Sequence, residues 1–297
     1  MRETAGKAPI PEHHDVQRPS SLVHAEFGAL THPGNVRENN EDHYLILKLG
    51  RDHEVLFTNV AEGNLPLRFK EWGYVMLVAD GLGGEAKGEL ASSLALSAAV
   101  QLLLRFGKWN LRINDDIAKE IMQRAELLYT RISKVVADRA ESDPLKQRMG
   151  TTLTMAFTAG NELFVAHVGD SRVYLFRNRK LHRLTHDQTY AQLLADMGQI
   201  SQAEVDTHHL RNVLTEAIGI GEGKLDVQVK RLQLDDGDCL LLCTDGLTDM
   251  VEEDAIAGVL IKETRPAEAC AKLVNAALEN GGMDNVTVLV GRYSIPT

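Results

Sequence analysis

Apolar residues along the chain fall first into short runs and then into long, spaced stripes. "VHAEFGAL" (23–30), "YLILKL" (44–49), "EVLFT" (54–58) and "YVMLVA" (74–79) have the length and composition of strands. Two long helical patterns follow at about 85–106 and 115–141, broken by "GKWN" and stopped before Asp143-Pro144. From 151 to 185 the alternation predicts four strands joined by tight turns at Gly160-Asn161, Gly169-Asp170 and Asn178. A short helical region then carries Ser201-x-x-Glu204, which has the spacing of a capping box. "KLDVQVKRLQL" and "DCLLLCT" resume the strands, and Asp235-Asp236-Gly237-Asp238 between them is expected to be a hairpin turn. Helical patterns at about 253–263 and 266–280, the second opening on Pro266, precede a last strand, "NVTVLVGRY". Strands in consecutive runs with helices in pairs predict an α+β fold of mostly antiparallel sheets covered by helices.

No repeat or low-complexity linker divides residues 23–297, so they read as one domain behind a polar, flexible tail at 1–22 that holds Pro9, Pro11 and Pro19. A chain of 297 residues buries a sizeable core. Its 32 Lys+Arg against 42 Asp+Glu give a net charge of −10, and no basic block stands out. That balance disfavours nucleic acid or an anionic membrane as partner. No signal core occurs and no stretch reaches the roughly 18 apolar residues of a membrane span, so a soluble, cytoplasmic monomer is expected. Cys239, Cys243 and Cys270 are too few and too oddly spaced for a disulfide framework and are expected to be packed core thiols.

One stretch raises a question of chemistry. In "VADGLGGEA" (78–86) a strand ends at Asp80, turns on glycines and opens into a helix. A dinucleotide-binding turn has this glycine spacing, but it also needs a second strand with an acid about 20 residues on. No acid lies between Glu89 and Asp115, another helix comes next, and Asp80 would repel a pyrophosphate. Asp80 belongs instead to a set of aspartates at the ends of apolar runs: Asp42, Asp80, Asp170, Asp245 and Asp284. Any one alone reads equally well as a turn former or helix cap. Five together read better as a shared cation site, and hard carboxylate ligands without His or Cys favour Mg²⁺ or Mn²⁺ over zinc.

The segments RENNED (37–42), VADGLGG (78–84), GTT (150–152), VGDSR (168–172), CTDGLTD (243–249) and DNVT (284–287) stand in this order. Together they resemble the motifs of metal-dependent protein phosphatases of the phosphatase-2C type, over about residues 23–294. The resemblance implies a four-layer α-β-β-α sandwich and hydrolysis of phosphoserine and phosphothreonine on proteins, opposing a Ser/Thr kinase. It further implies that Asp80 bridges two Mn²⁺ or Mg²⁺ ions, that Gly81 offers its carbonyl, and that Asp245 and Asp284 complete the ligands. Asp42 resembles the carboxylate that holds the attacking water, and Arg37 the phosphate-binding arginine, whose planar fork suits phosphate oxygens. Asp170 and Asp249 match positions of a third, weaker metal, although Asp249 reads equally as a cap of the following helix. Two rival readings are a SpoIIE-like phosphatase of a sigma-factor pathway and a non-catalytic phosphoprotein-binding regulator. The complete acidic set argues against the second.

Ser171 lacks the glycines of a nucleophile elbow and reads as a turn contact. His43 should face away from Asp42, since neighbouring strand residues point to opposite sides. His208-His209 lacks the partner spacing of a zinc site. Leu82 stands where eukaryotic members of the resembled family often carry a proton-donating histidine. "HHLRNVLTEAIG" (208–219) resembles a mobile flap segment, with Leu210 and Glu216 departing from its usual proline and arginine. Residues 49–73 are expected to form a long hairpin connection, either a harmless loop or a partner-docking one.

Overall fold

The computed structural model describes residues 22–60, 67–106, 113–142, 149–221 and 224–296. The expected tail (1–22, save Leu22), the "GKWN" break and the stop at Asp143-Pro144 lie outside these residues. One five-stranded antiparallel sheet runs in the order β1 (His24–His32), β12 (Val286–Ser294), β11 (Cys239–Cys243), β8 (Arg172–Arg177), β9 (Lys180–Arg183). The other runs β10 (Gln228–Gln233), β7 (Glu162–Val168), β6 (Leu153–Ala159), β3 (Arg68–Ala79), β2 (His43–Glu54). A two-residue ladder, β4 (Gly81–Leu82) with β5 (Gly150–Thr151), sits beside them.

The layering follows from side-chain alternation. Tyr74, Met76 and Val78 of β3 meet Leu240 and Leu242 of β11 and Leu289 of β12 in the core between the sheets. The intervening Val75, Leu77 and Ala79 face outward onto α1 (Glu85–Phe106) and α2 (Asp115–Glu141). In the opposite sheet Cys239, Leu241 and Cys243, with Val286, Val288 and Val290, face α6 (Glu253–Lys262) and α7 (Pro266–Glu279). Strands covered on both faces need apolar residues at nearly every position, which is why "YVMLVA" and "CLLLC" are unbroken runs and "VTVLV" is interrupted only by Thr287. All three cysteines are buried and free in the α6–α7 core, and burial pushes each thiol up to about 12. Among the described residues no helix is long and apolar enough to cross a membrane.

The two long helices have the expected bounds. α2 buries Ala118, Ala125, Tyr129, Ile132, Val136 and Ala140 along one stripe, and Asn114 caps it by accepting from the Ile117 amide at 2.9 Å. Two expectations need correction. "EVLFT" is not a strand: β2 runs on to Glu54, paired with Arg68 of β3, and residues 55–59 have left the ladder. The expected 49–73 hairpin connection does form at its base, where 49–54 pair with 68–73, with 61–66 outside the described residues. Asp235–Asp238 is not a hairpin turn, because β10 and β11 lie in different sheets. The turn forms, with the Asp238 amide donating to the Asp235 carbonyl, but it carries the chain across the sandwich.

Residues 186–221 leave the sandwich as a flap with α3 (Tyr190–Asp196) and α4 (Gln202–Val205). Only α4 was legible in the sequence, through the Ser201–Glu204 capping box, which forms as expected. Isolated bridges Thr189–Leu214 and Thr151–Ile218 tether the flap where β3 has full ladders on both sides at 73–78. Amide exchange across 186–221 should be at least about tenfold faster than across 74–79. Equal protection in a mass-spectrometric exchange experiment would refute a mobile flap.

Candidate metal centre

Five aspartates reach one rim because five chain segments end there. Asp42 precedes β2, Asp80 links β3 to β4, and Asp170 lies in the β7–β8 turn. Asp245 opens α5 (Asp245–Thr248) directly after β11, and Asp284 lies just before β12. The glycines allow the close packing behind them. A Cβ at Gly81 would fall on the backbone of Gly88 in α1, and one at Gly246 on the Asn285 carbonyl.

The backbone at Asp80 is held by the GTT segment. Its carbonyl accepts from Thr151 Oγ1 at 2.7 Å and from the Thr152 amide at 2.8 Å, while its own amide donates to Thr152 Oγ1 at 2.9 Å. Asp42 Oδ2 accepts from Thr244 Oγ1 at 2.8 Å and Thr287 Oγ1 at 2.7 Å. Asn285 clamps the loop before β2: its side-chain nitrogen donates to the Pro33 and Asn39 carbonyls and its oxygen accepts from the Glu41 amide. Thr244, Thr287 and Asn285 were given no role from the sequence, although each lies inside a quoted motif. A threonine in a strand is ordinary, and only contacts more than 200 residues apart in the chain reveal the function.

Burial dominates the electrostatics. It pushes the Asp42 carboxyl up to about 7 despite the two threonine donors, with Asp245 and Asp284 adding repulsion. Asp245 rises to about 7, first by burial and then through Asp249 and Asp284. Asp80 is held well above the carboxylate range by burial and by Asp42, Asp245, Asp170 and Asp284. Asp170 is raised likewise by burial, Asp245, Asp187 and Asp249, with Arg172 opposing. Two buried oxygens, Asp42 Oδ1 and Asp245 Oδ1, have no hydrogen-bond partner among the described residues. Buried anionic oxygens without donors are costly unless a cation meets them, and an all-oxygen set suits a hard divalent ion. The residues therefore fit Mn²⁺ or Mg²⁺. Among the described residues no three Asp, Glu, His or Cys side chains close into a cage around one point, so bound cations would have to draw the cluster together.

Arg37 stands at the same rim, half-exposed, with Nη2 2.7 Å from Asp284 Oδ2, and that contact is the main reason its pKa is raised. Asp249 is the C-cap residue of α5 and does not cap α6, whose N-cap is Glu252. Its Oδ2 instead accepts from Asn212 of the flap at 3.2 Å, with Arg211 3.6 Å away. His43 turns from the rim to Ser92 of α1 at 2.9 Å, and Ser171 contacts Thr152 Oγ1 at 2.9 Å, as expected. The His208 and His209 rings lie 4.4 Å apart at a 37° tilt in the flap, and among the described residues they join no metal-holding cluster. Leu82 sits in β4 opposite Gly150 and offers no proton.

Residues 65–280 match the family model described as protein phosphatase 2C. Over 268 residues the chain is 34% identical to the serine/threonine phosphatase stp of Listeria monocytogenes, a match that covers 90% of this chain and 95% of that protein. It is 35% identical over 217 residues to the serine/threonine protein phosphatase PstP of Mycobacterium tuberculosis, covering 73% of this chain but 40% of that protein's length. Among solved structures, the M. tuberculosis phosphatase PstP/Ppp superposes with a TM-score of 0.72 at 31% identity, over 91% of this chain and 99% of the other. The catalytic domain of PstP in complex with 2 manganese ions gives a TM-score of 0.69 at 29% identity, over 92% of this chain and 99% of that one.

Proposed function

Because the chain belongs to the protein phosphatase 2C family, we propose that it is a metal-dependent serine/threonine protein phosphatase built on one domain over residues 23–297. The observation that carries the reading is the buried, mutually repelling carboxylate rim with unpartnered oxygens at Asp42 and Asp245. The names of the relatives and the manganese in a similar structure support it. Asp80, the Gly81 carbonyl, Asp245 and Asp284 are the residues that would hold two Mn²⁺ or Mg²⁺ ions, with Asp170 and Asp249 available to a third. Bound there, the ions supply the Lewis acidity that makes water nucleophilic near neutral pH and offset phosphoryl charge.

The chain's own groups do the positioning. Asp42, locked through Oδ2 by Thr244 and Thr287, presents its free Oδ1 to orient the attacking water. Arg37 engages the phosphoryl oxygens of a phosphoserine or phosphothreonine through its planar fork. Displacement is direct and in line, without a side-chain nucleophile. Leu82 donates no proton, so the leaving alkoxide takes one from water. A Ser/Thr kinase is the class of enzyme that must supply such a substrate, and the protein works opposite one.

Arg37→Ala tests the phosphate role. It is expected to raise KM for a phosphothreonine peptide about tenfold or more, since charge-assisted contacts to phosphate are lost. Mn²⁺ affinity should hold or improve, because Asp284 loses the cation paired with it. Weakened Mn²⁺ binding, measured by calorimetry, would show that Arg37 serves the ligands rather than the substrate.

A further inference from the structure

A cavity of about 450 Å³ opens between the base of the flap and the β7–β10 edge of the sandwich. Its lining includes Arg183 of β9, Lys230 of β10, His167 of β7 and the flap glutamines Gln192 and Gln202, and no Asp or Glu. In a protein of net charge −10, a cleft lined by two cationic residues and no carboxylate is placed to attract anions, even with Asp187 paired to Arg183 behind it. We infer that this cavity is a binding site for a compact phosphate-type oxyanion, held by Arg183 and Lys230.

The donor inventory supports the assignment. Lys230 Nζ spends one of its three protons on the Leu184 carbonyl at 2.9 Å. Partial burial of its ammonium lowers its pKa, with no carboxylate offsetting it. Arg183 pairs with Asp187, but Asp187 is shared with Arg172, so two guanidiniums stand against one carboxylate. The other polar groups are already committed. His167 uses Nδ1 on Thr154 and Nε2 on the Gly169 carbonyl, and burial brings it down to about 4, so it is a neutral wall. Gln192 and Gln202 bond to each other, and Gln228 grips the His186 backbone through both its amide atoms. Asp196, the nearby flap carboxylate, is held by His186 and Gln192. What remains free is cationic.

The volume lies within the range of small-molecule pockets, roughly 300–1,000 Å³, and exceeds what bare phosphate needs. Either free phosphate or the phosphate of a small ester fits this chemistry. An occupant would bridge α3 and α4 to the sheet and so stiffen the flap. The inference does not depend on the hydrolytic reading.

The test uses the full chain stripped of metal with EDTA, at constant ionic strength, so that the carboxylate rim repels anions. Inorganic phosphate is titrated calorimetrically, with chloride as control. Saturable phosphate binding is expected, weakened about tenfold by Lys230→Met, the loss of one charge-assisted bond, and unchanged by Arg37→Ala. Phosphate should also slow amide exchange across 190–205 in wild type but not in Lys230→Met. Arg183→Lys, which keeps the charge beside Asp187, should weaken binding similarly. If that variant fails to fold, the exposed Lys230 position carries the test. Glycerol 3-phosphate is the second probe: tighter binding than phosphate identifies an ester as the occupant, weaker binding free phosphate. Binding of neither anion, or binding lost in Arg37→Ala and kept in Lys230→Met, overturns the inference.

Discussion

Asp245→Asn is expected to abolish nearly all phosphatase activity, by about a thousandfold or ~4 kcal/mol of barrier, while leaving the metal-free protein as stable as wild type or more so. The side chain is half-buried at the start of α5, repelled by Asp249 and Asp284, with its buried Oδ1 unpartnered. An amide removes a charge that only the Gly246 amide and a hydrogen bond with Asp80 offset, and supplies a donor toward Asp80. It also removes a ligand. In wild type, a metal at 100 times its Kd should stabilise the fold by about 2.7 kcal/mol, and most of that shift should vanish in the variant. Melting curves in EDTA and in Mn²⁺, run beside a phosphopeptide assay, read both halves. A variant keeping the full metal shift and wild-type turnover would exclude Asp245 as a ligand.

The second large effect is on pH. In metal-free protein, burial pushes Asp42 and Asp245 up to about 7 and raises Asp80 and Asp170 as well, against about 3.9 for an unfolded aspartate. Groups raised on folding stabilise fully below the unfolded pKa and lose that contribution as pH climbs through the folded one. The EDTA-treated protein should therefore lose stability between pH 6 and 8, by about 1 kcal/mol or more, roughly 2–4 °C in Tm. Mn²⁺ should flatten or reverse the trend, because it binds the ionised form. Asp42→Asn and Asp245→Asn separate this slope from that of other titrating groups, and each should make it shallower. A metal-free Tm that stays level or rises over this interval, with the variants matching wild type, would mean that the rim is less strained than its burial implies.

Much of this was legible in the sequence, for identifiable reasons. The bounds of α1 and α2 could be read because their stripes are long and interrupted by strong breakers. The aspartates were legible because each ends an apolar run, and the apolar runs are the strands that deliver them to one rim. Pairing was harder. The turn at Asp235–Asp238 looks the same whether its flanking strands pair or part, and β10 and β11 part. "EVLFT" has strand composition, yet the ladder to β3 fixes the end of β2 at Glu54. α3 escaped notice because a seven-residue helix offers barely two turns of periodicity. The threonines that lock Asp42, the Asn285 clamp and the Arg183–Lys230 cavity are assembled from distant segments, and no local pattern announces them.

The central claim is that the carboxylate rim is a cation-dependent catalytic centre. It is tested most directly by titrating EDTA-stripped protein with Mn²⁺ and measuring, on the same samples, ions bound per chain and phosphate released from a phosphothreonine peptide. Near-zero turnover is expected in the stripped protein, rising in step with the binding of about two ions per chain. Undiminished turnover without metal, or Mn²⁺ binding that restores none, would contradict it.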